Sequence, residues 1–181
     1  MSQNSSPDSM SSAITIKTKP TTRRTSISFN KLTPVEMPSV LLIEEQNSDY
    51  PWSQLQFITS IENSNNLCYC LSFNGRTIGY LIAMLAGDTA DILNIGIDPD
   101  FKRQGYSTGL LNHLIKELRK RNIGEILLEV RAGNKSAIQF YKRQGFEEIS
   151  VRKNYYTKNS KNQSQREDGI IMRIKILSIK N

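Results

Sequence analysis

A glycine-bearing loop between an apolar strand and an amphipathic helix is the feature that most restricts how this chain can fold. The strand is predicted over 90–97, and the residues after the loop show helical spacing of apolar side chains at Leu110, Leu111, Leu114, Ile115 and Leu118. Such a loop presents backbone N–H groups at the positive end of a helix dipole, so it favours an anion, commonly a pyrophosphate. Taken alone, the spacing of Lys102, Gly105 and Ser107 fits an ordinary surface turn equally well.

The residues after this helix continue to alternate between strands and helices. The run over 125–131 predicts a buried strand with one carboxylate, Glu129, in its middle. Asn134 is a capping residue for a short helix, and two more strands are predicted over 146–151 and 169–176. This order of elements predicts an α/β (α+β) domain with a mixed sheet.

The first half of the chain supplies further strands and two helices. The strands over 67–73 and 77–86 flank an Asn-Gly pair at 74–75, which is a strong hairpin signal. Thr33 and Ser53 each precede a helix-like segment and can cap it. The predicted sheet therefore begins well before the glycine-bearing loop.

Residues 1–26 differ in composition from the rest of the chain. They are rich in Ser and Thr, contain Pro7 and Pro20, and lack a hydrophobic period, so we expect a disordered basic tail. An organellar transit peptide is an alternative, but Pro20 interrupts any amphipathic helix drawn through the segment. The folded domain is predicted over 27–181.

Size, charge and cysteine content limit the class of protein. The 181 residues suffice for one domain with a real core, and no apolar run reaches the roughly 18 residues that span a bilayer. The net charge of +7 suits an anionic ligand or an RNA-bearing partner, although no motif indicates sequence-specific nucleic-acid binding. Cys68 and Cys70 would share one face of a strand, and no second Cys or His pair completes a metal site. We expect reduced thiols, no metal, no membrane segment and a cytoplasmic location.

Four motifs together resemble one enzyme superfamily. They are NIGIDPDFKRQG at 94–105, LLEVRAGNKSAIQFYKRQGF at 127–146, RKNYY at 152–156 and REDGIIM at 166–172. From about Ile27 onward the chain is similar to the Gcn5-related N-acetyltransferase (GNAT) superfamily, and within it to the RimI-type ribosomal-protein alanine N-acetyltransferases. The resemblance implies the GNAT fold, in which a mixed, mostly antiparallel sheet flanked by helices is splayed in the middle to hold acetyl-CoA.

The resemblance also implies an activity. The chain is expected to transfer the acetyl group of acetyl-CoA to the N-terminal α-amine of a protein, with the N-terminal alanine of a small-subunit ribosomal protein, the eighteenth in the standard naming, as the expected acceptor. Alternatives are the same fold acting on other protein N-termini, lysines or small amines, and a non-catalytic acetyl-CoA sensor. An intact pair of candidate catalytic residues argues against the sensor.

Glu129 and Tyr141 are those candidates. A carboxylate in a strand suited to burial is costly unless it is paired or functional, so Glu129 is either an ion-pair partner of a neighbour such as Arg131 or a general base. Its position matches the catalytic glutamate of the family. Tyr141 considered alone is a packing residue, but it matches the family pattern FY-x-x-x-GF at 140–146, which implies the acid that protonates the coenzyme A thiolate.

The resemblance implies three groups of cofactor contacts. They are the strand end Ile95, Gly96 and Ile97, the loop residues Arg103, Gln104, Gly105, Tyr106, Ser107 and Thr108, and the cap Asn134. The family usually has Gln or Arg where this chain has Lys102, and Gly or Ala where it has Ser107. Serine is small and its hydroxyl can donate to a phosphate, so we expect binding to survive both departures.

On the acceptor side, the resemblance implies contacts from Tyr155 and Tyr156. Trp52 is a further candidate for the wall of the acceptor groove, with a core position nearly as well supported. Relatives carry Pro where this chain has Thr157, and the polar loop over 157–165 is longer, which bears on the fine substrate preference. His113 is predicted on the polar side of the long helix and is assigned no chemistry.

Overall fold

A computed structural model describes residues 25–157 and 166–176. The described ranges contain seven strands in one sheet, with the order β1-β2-β3-β4-β5-β7-β6. The strands are β1 (Ile27–Lys31), β2 (Asn66–Phe73), β3 (Arg76–Ala86), β4 (Thr89–Ile97), β5 (Glu125–Arg131), β6 (Glu147–Thr157) and β7 (Arg166–Lys175). The helices are α1 (Met37–Asn47), α2 (Gln54–Glu62), α3 (Tyr106–Arg119) and α4 (Lys135–Arg143), with short 3-10 turns at Pro34–Glu36 and Pro99–Phe101. The predicted tail lies outside the described residues apart from Thr25 and Ser26.

The sheet is mixed and mostly antiparallel, as predicted. β4 and β5 pair in parallel, while the other neighbouring strands pair antiparallel. β6 extends to Thr157 and β7 begins at Arg166, so both are longer than predicted. The extra part of β6 is polar and exposed and contains a register shift between Arg152 and Tyr156, so it carries no hydrophobic period that sequence inspection could find.

The sheet opens between its two parallel strands. The pairing of β4 with β5 covers Thr89–Ile92 against Glu125–Leu128 and then ends. Beyond that point β4 continues to pair only with β3, and β5 only with β7. The predicted splay in the middle of the sheet is therefore confirmed, and Glu129 is the first residue of β5 inside the opening.

Each face of the sheet carries an apolar cluster. On one face, α3 and α4 cover the sheet, with Leu110, Leu111, Leu114 and Leu118 of α3 buried against Ile126, Leu128 and Val130 of β5. On the other face, Val40 and Ile43 of α1 and Phe57 of α2 are buried against Tyr80 and Ile82 of β3. Full burial of one such aliphatic side chain contributes about 1.5–3 kcal/mol, so each cluster holds its helices firmly on the sheet.

His113 does not lie on the polar side of α3, so this prediction is wrong. Its ring stacks on Phe29 with ring centroids 5.1 Å apart and meets Tyr69 edge-on at 4.6 Å. Phe29 of β1 and Tyr69 of β2 therefore cover His113, although the spacing of the leucines in α3 places it outside the apolar face of the helix. Partial burial lowers the pKa of the His113 imidazole.

The two cysteines lie on β2 and both contact the second cluster, as the alternation of a strand predicts. Both are free thiols, and burial raises the pKa of Cys68 to about 11. Across residues 25–157 and 166–176, no helix is long and apolar enough to cross a membrane, and no group of three or more His, Cys, Asp or Glu side chains could hold a metal ion.

Candidate active site

The predicted anion loop has the backbone geometry that such a site requires. Asp98 caps the 3-10 turn by accepting a hydrogen bond from Asp100 N at 3.0 Å. Gly105 then adopts φ +87° and precedes α3, whose first turn has no side-chain cap. The first N–H groups of α3 are therefore available to a ligand, at the end of the helix that favours negative charge.

The loop forms one wall of a first cleft of about 530 Å³. Eight of the ten predicted cofactor residues line it: Ile95, Gly96, Ile97, Arg103, Gly105, Ser107, Thr108 and Asn134. The other two lie elsewhere, since the Gln104 side chain donates to Asp100 O at 3.1 Å and Tyr106 packs edge-on to Phe73 with ring centroids 6.2 Å apart. Sequence inspection missed Asn47 of α1, which also lines the cleft and donates to Ile97 O at 3.0 Å.

The end of β4 that borders this cleft is braced from the opposite face. Tyr80 packs against Gly96 so closely that a Cβ there would lie 2.6 Å from the tyrosine ring. The Tyr80 hydroxyl donates to Glu44, whose side chain is only 4% exposed and also accepts from Trp52 N at 2.9 Å and Asn94 Nδ2 at 3.2 Å. Burial, reinforced by Glu44, raises the pKa of Tyr80, so its hydroxyl stays a donor.

Tyr141 lines the same first cleft from α4. It is 6% exposed and packs beside Phe140 and Phe146, with ring centroids 5.2 and 5.3 Å away. Burial raises the pKa of the Tyr141 hydroxyl, because the phenolate would lose its hydration. The hydroxyl is therefore protonated at neutral pH and can donate a hydrogen bond into the first cleft.

Glu129 lies in a second cleft, of about 480 Å³, which it shares with Asp91, Leu93, Arg152, Tyr155 and Tyr156. One carboxylate oxygen, Oε2, accepts from Arg152 Nη1 at 2.8 Å. The other, Oε1, is buried and has no hydrogen-bond partner among the described residues. A buried acceptor without a partner is costly, so Oε1 adds to the free-energy cost of placing Glu129 at this position.

The ion pair that sequence considerations raised for Glu129 forms with a different residue. Arg152 is the partner, whereas Arg131 lies 3.6 Å from Glu167. The positions of Glu129 and Tyr156 also depend on Gly169. A Cβ there would lie 2.7 Å from Glu129 Oε1 and 3.2 Å from the Tyr156 ring. Sequence inspection missed Gly169, whose only signal is its place in the REDG motif.

Tyr155 and Tyr156 both line the second cleft, with ring centroids 5.0 Å apart. Burial, reinforced by the nearby Glu129 carboxylate, raises the pKa of the Tyr156 hydroxyl. Trp52 lies elsewhere: it packs against Phe57 at 5.4 Å as part of the second apolar cluster, which is the core position that the sequence also allowed.

Residues 36–146 match the model of the acetyltransferase (GNAT) family, and the chain belongs to this family. It is 37% identical over 148 residues to the [ribosomal protein bS18]-alanine N-acetyltransferase of Escherichia coli K12, covering 82% of this chain and 97% of that protein. The crystal structure of the E. coli ribosomal-protein alanine N-acetyltransferase matches with a TM-score of 0.76 and 36% identity, over 86% of this chain and 98% of the other. Arabidopsis thaliana NAA60 in complex with acetyl-CoA shares the fold, with a TM-score of 0.71 at 18% identity, over 83% of this chain and 99% of the other. The family indicated by the motifs is thus confirmed.

Proposed function

We propose that this chain transfers the acetyl group of acetyl-CoA to the N-terminal α-amine of a protein, with the N-terminal alanine of ribosomal protein bS18 as the main acceptor. The observation that carries the proposal is the placement of Glu129 and Tyr141 in two clefts at the opening between β4 and β5. The name of the E. coli relative supports the choice of acceptor. We expect the reaction in the cytoplasm, where ribosomal proteins are made.

The first cleft suits acetyl-CoA. The N–H groups around Gly105 and the hydroxyl of Ser107 face a site for the pyrophosphate, and Arg103 adds positive charge. The edge of β4 over 93–96 lacks a strand partner on the β5 side, so its backbone groups are free to bond the amide arm of the cofactor and the thioester carbonyl. Hydrogen bonds to that carbonyl stabilise the oxyanion that forms when the amine attacks.

The second cleft suits an α-amine. An ammonium group can replace the Arg152 guanidinium on Glu129 Oε2, which already accepts from a cation. Glu129 accepts a proton from the ammonium, directly or through a water, and the neutral nitrogen attacks the thioester carbon. The C–S bond then breaks, Tyr141 gives its proton to the departing sulfur, and the new amide nitrogen loses its remaining extra proton, which returns to the tyrosinate through water.

The intrinsic acidity of the acceptor favours an N-terminus over a lysine. An α-ammonium has a pKa of about 7.7–8.0, so a sizeable fraction is neutral in the cell, whereas a lysine near ~10.4 costs about 3 kcal/mol more to deprotonate. The N-terminus therefore needs less help from a carboxylate base such as Glu129.

Mass spectrometry of peptides incubated with the enzyme and acetyl-CoA tests the proposal. We expect acetylation of an Ala-start peptide with the bS18 sequence and little of the same peptide with a blocked N-terminus and an internal lysine. Equal labelling of both peptides would support a broader acetyltransferase instead. Labelling of neither would contradict acetyl transfer to proteins.

A further inference from the structure

The side chain of Arg131 contacts several segments of the chain outside its own strand, near the second cleft. It is the last residue of β5, two positions after Glu129 and on the same face. Its guanidinium carbon lies 4.1 Å from the ring centroid of Tyr50 and 4.2 Å from that of Tyr156. Its Nη1 also donates to Thr157 O at 3.2 Å.

These contacts join segments that are distant in sequence. Tyr50 lies in the connection between α1 and α2, Tyr156 lies near the end of β6, and Glu167, 3.6 Å from the guanidinium, lies at the start of β7. Glu167 in turn accepts from the N–H of Gly133, in the turn that leads into α4. One guanidinium therefore connects the α1–α2 connection, the ends of two strands and the turn before α4.

Of these partners, Tyr156 lies against the proposed base. It lines the second cleft with Glu129, and the carboxylate acts on the pKa of its hydroxyl. Arg131 itself, Tyr50 and Glu167 line neither of the two clefts. Arg131 therefore reaches the acceptor side through Tyr156, whereas its link to the turn before α4 runs through Glu167, beside which a lysine would keep a positive charge.

The planar shape of guanidinium is what makes this arrangement possible. A guanidinium can lie flat against aromatic rings while its N–H groups donate in its own plane, whereas a lysine ammonium is a compact point charge. A lysine at this position would keep the positive charge near Glu167 and lose the stacking on the two tyrosines.

We propose that Arg131 is a positioning residue for the acceptor. It fixes the position of Tyr156, which forms one wall of the second cleft, relative to Glu129. This role rests on the proposed acetyl transfer to a peptide amine. It assigns to Arg131 an effect on acceptor binding that is separable from acetyl-CoA binding and from folding.

The test compares Arg131→Lys with wild type in three measurements. We expect the KM for the Ala-start peptide to rise about tenfold, which corresponds to losing the stacking contacts, with kcat changed by less than about twofold. The Kd for acetyl-CoA, measured by calorimetry, should stay unchanged. The matched control is Arg173→Lys. Arg173 also forms an ion pair on this sheet, with Glu125 at 3.2 Å, but it lines neither cleft.

A second variant tests the route through the aromatic contact. Tyr50→Leu should raise the peptide KM in the same way, and Arg131→Lys made in the Tyr50→Leu background should add less than it does in wild type. Full additivity of the two changes would overturn the shared contact as the cause.

Other outcomes are equally decisive. If wild type acetylates the peptide and Arg131→Lys leaves its KM unchanged, the positioning role is wrong while the acetyl transfer stands. If Arg131→Lys weakens acetyl-CoA as much as the peptide, or lowers Tm well beyond the Arg173→Lys control, Arg131 is a general structural residue. If wild type acetylates no peptide, the proposed function is wrong, and the positioning role of Arg131 in acceptor binding is wrong with it.

Discussion

Glu129 and Tyr141 lie on opposite faces of the central sheet. Leu128 and Val130, the neighbours of Glu129 on β5, point into the cluster that contains Tyr141, so the alternation of the strand turns the Glu129 carboxylate to the other side. The two side chains therefore reach a common centre only where the sheet is open.

Glu129→Gln keeps the size of the side chain but cannot accept a proton, so we expect kcat to fall about 100-fold or more with the Kd for acetyl-CoA nearly unchanged. The loss should shrink as pH rises, because more of the α-amine is already neutral. Steady-state rates from neutral to alkaline pH measure both effects. Glu125→Gln is the matched control, since Glu125 lies on the same face of β5 and pairs with Arg173. Near-normal turnover of Glu129→Gln at neutral pH would return Glu129 to a purely structural ion pair.

Tyr141→Phe removes the proposed proton donor for the thiolate. Because burial raises the pKa of Tyr141, the wild-type hydroxyl stays protonated well above neutral pH. The variant lacks this proton, and alkaline solution supplies none in its place, so high pH should not rescue it. We expect kcat to fall at all pH values tested, in contrast to Glu129→Gln. Tyr69→Phe, another buried tyrosine of the same cluster, controls for loss of a hydroxyl from the core. A full rescue of Tyr141→Phe at high pH would assign it to the base step.

Gly105→Ala tests the anion loop. Gly105 has φ +87°, and a Cβ there meets no protein atom within 4 Å, so the substitution strains the backbone without a clash inside the protein. We expect about 1 kcal/mol of lost stability and a clearly weaker Kd for acetyl-CoA by calorimetry. Gly87→Ala is a close control, because Gly87 has φ +64° and the same open surroundings in the turn between β3 and β4. Equal effects of the two variants on the Kd would show that the pyrophosphate does not approach Gly105.

Tyr80→Phe tests the polar contact that braces β4. The variant leaves the buried Glu44 with one hydrogen-bond donor fewer, so the free energy of unfolding should fall by about 1–3 kcal/mol. Urea denaturation of the variant and of Tyr69→Phe measures the difference. A change within about 0.5 kcal/mol of that control would mean that Glu44 does not depend on the Tyr80 hydroxyl.

Truncation tests the predicted domain boundary. Ser26 exchanges two hydrogen bonds with Asn74: its N–H donates to the side-chain Oδ1 at 2.9 Å, and its carbonyl accepts from the backbone N–H of Asn74 at 2.8 Å. A chain beginning at Thr25 should keep the Tm and the peptide acetylation of the full chain. A chain beginning at Leu32 loses β1 and should melt at a distinctly lower temperature. A large loss on removing residues 1–24 alone would contradict a dispensable tail.

The elements that the sequence predicts well are those with a local cause. The loop before α3 follows from a glycine at a helix start, and the strands β2 and β3 follow from the Asn-Gly turn between them. The placement of most predicted cofactor residues around one cleft follows from the same local signals together with the family motifs.

The contacts that sequence reasoning missed depend on pairing between distant segments. Arg152 of β6 reaches Glu129 of β5 across β7, where it lies opposite Gly169, and no spacing along the chain encodes that pairing. The same limit applies to Arg131 and Tyr50, which are 81 positions apart and meet through the folding of the α1–α2 connection over the end of β5. Hydrophobic periodicity indicates which face a residue occupies, but it does not indicate its partner there.

The opening between β4 and β5 also bears on whether both substrates are bound at the same time. Since the two clefts lie on opposite sides of the sheet, neither substrate blocks the entrance of the other, and the acetyl group need not rest on the enzyme between two half-reactions. On the proposed function, this geometry favours a ternary complex over a ping-pong scheme. It also lets a bulky acceptor remain outside the enzyme and thread only its first residues inward, so the size of the acceptor protein is no barrier to modification.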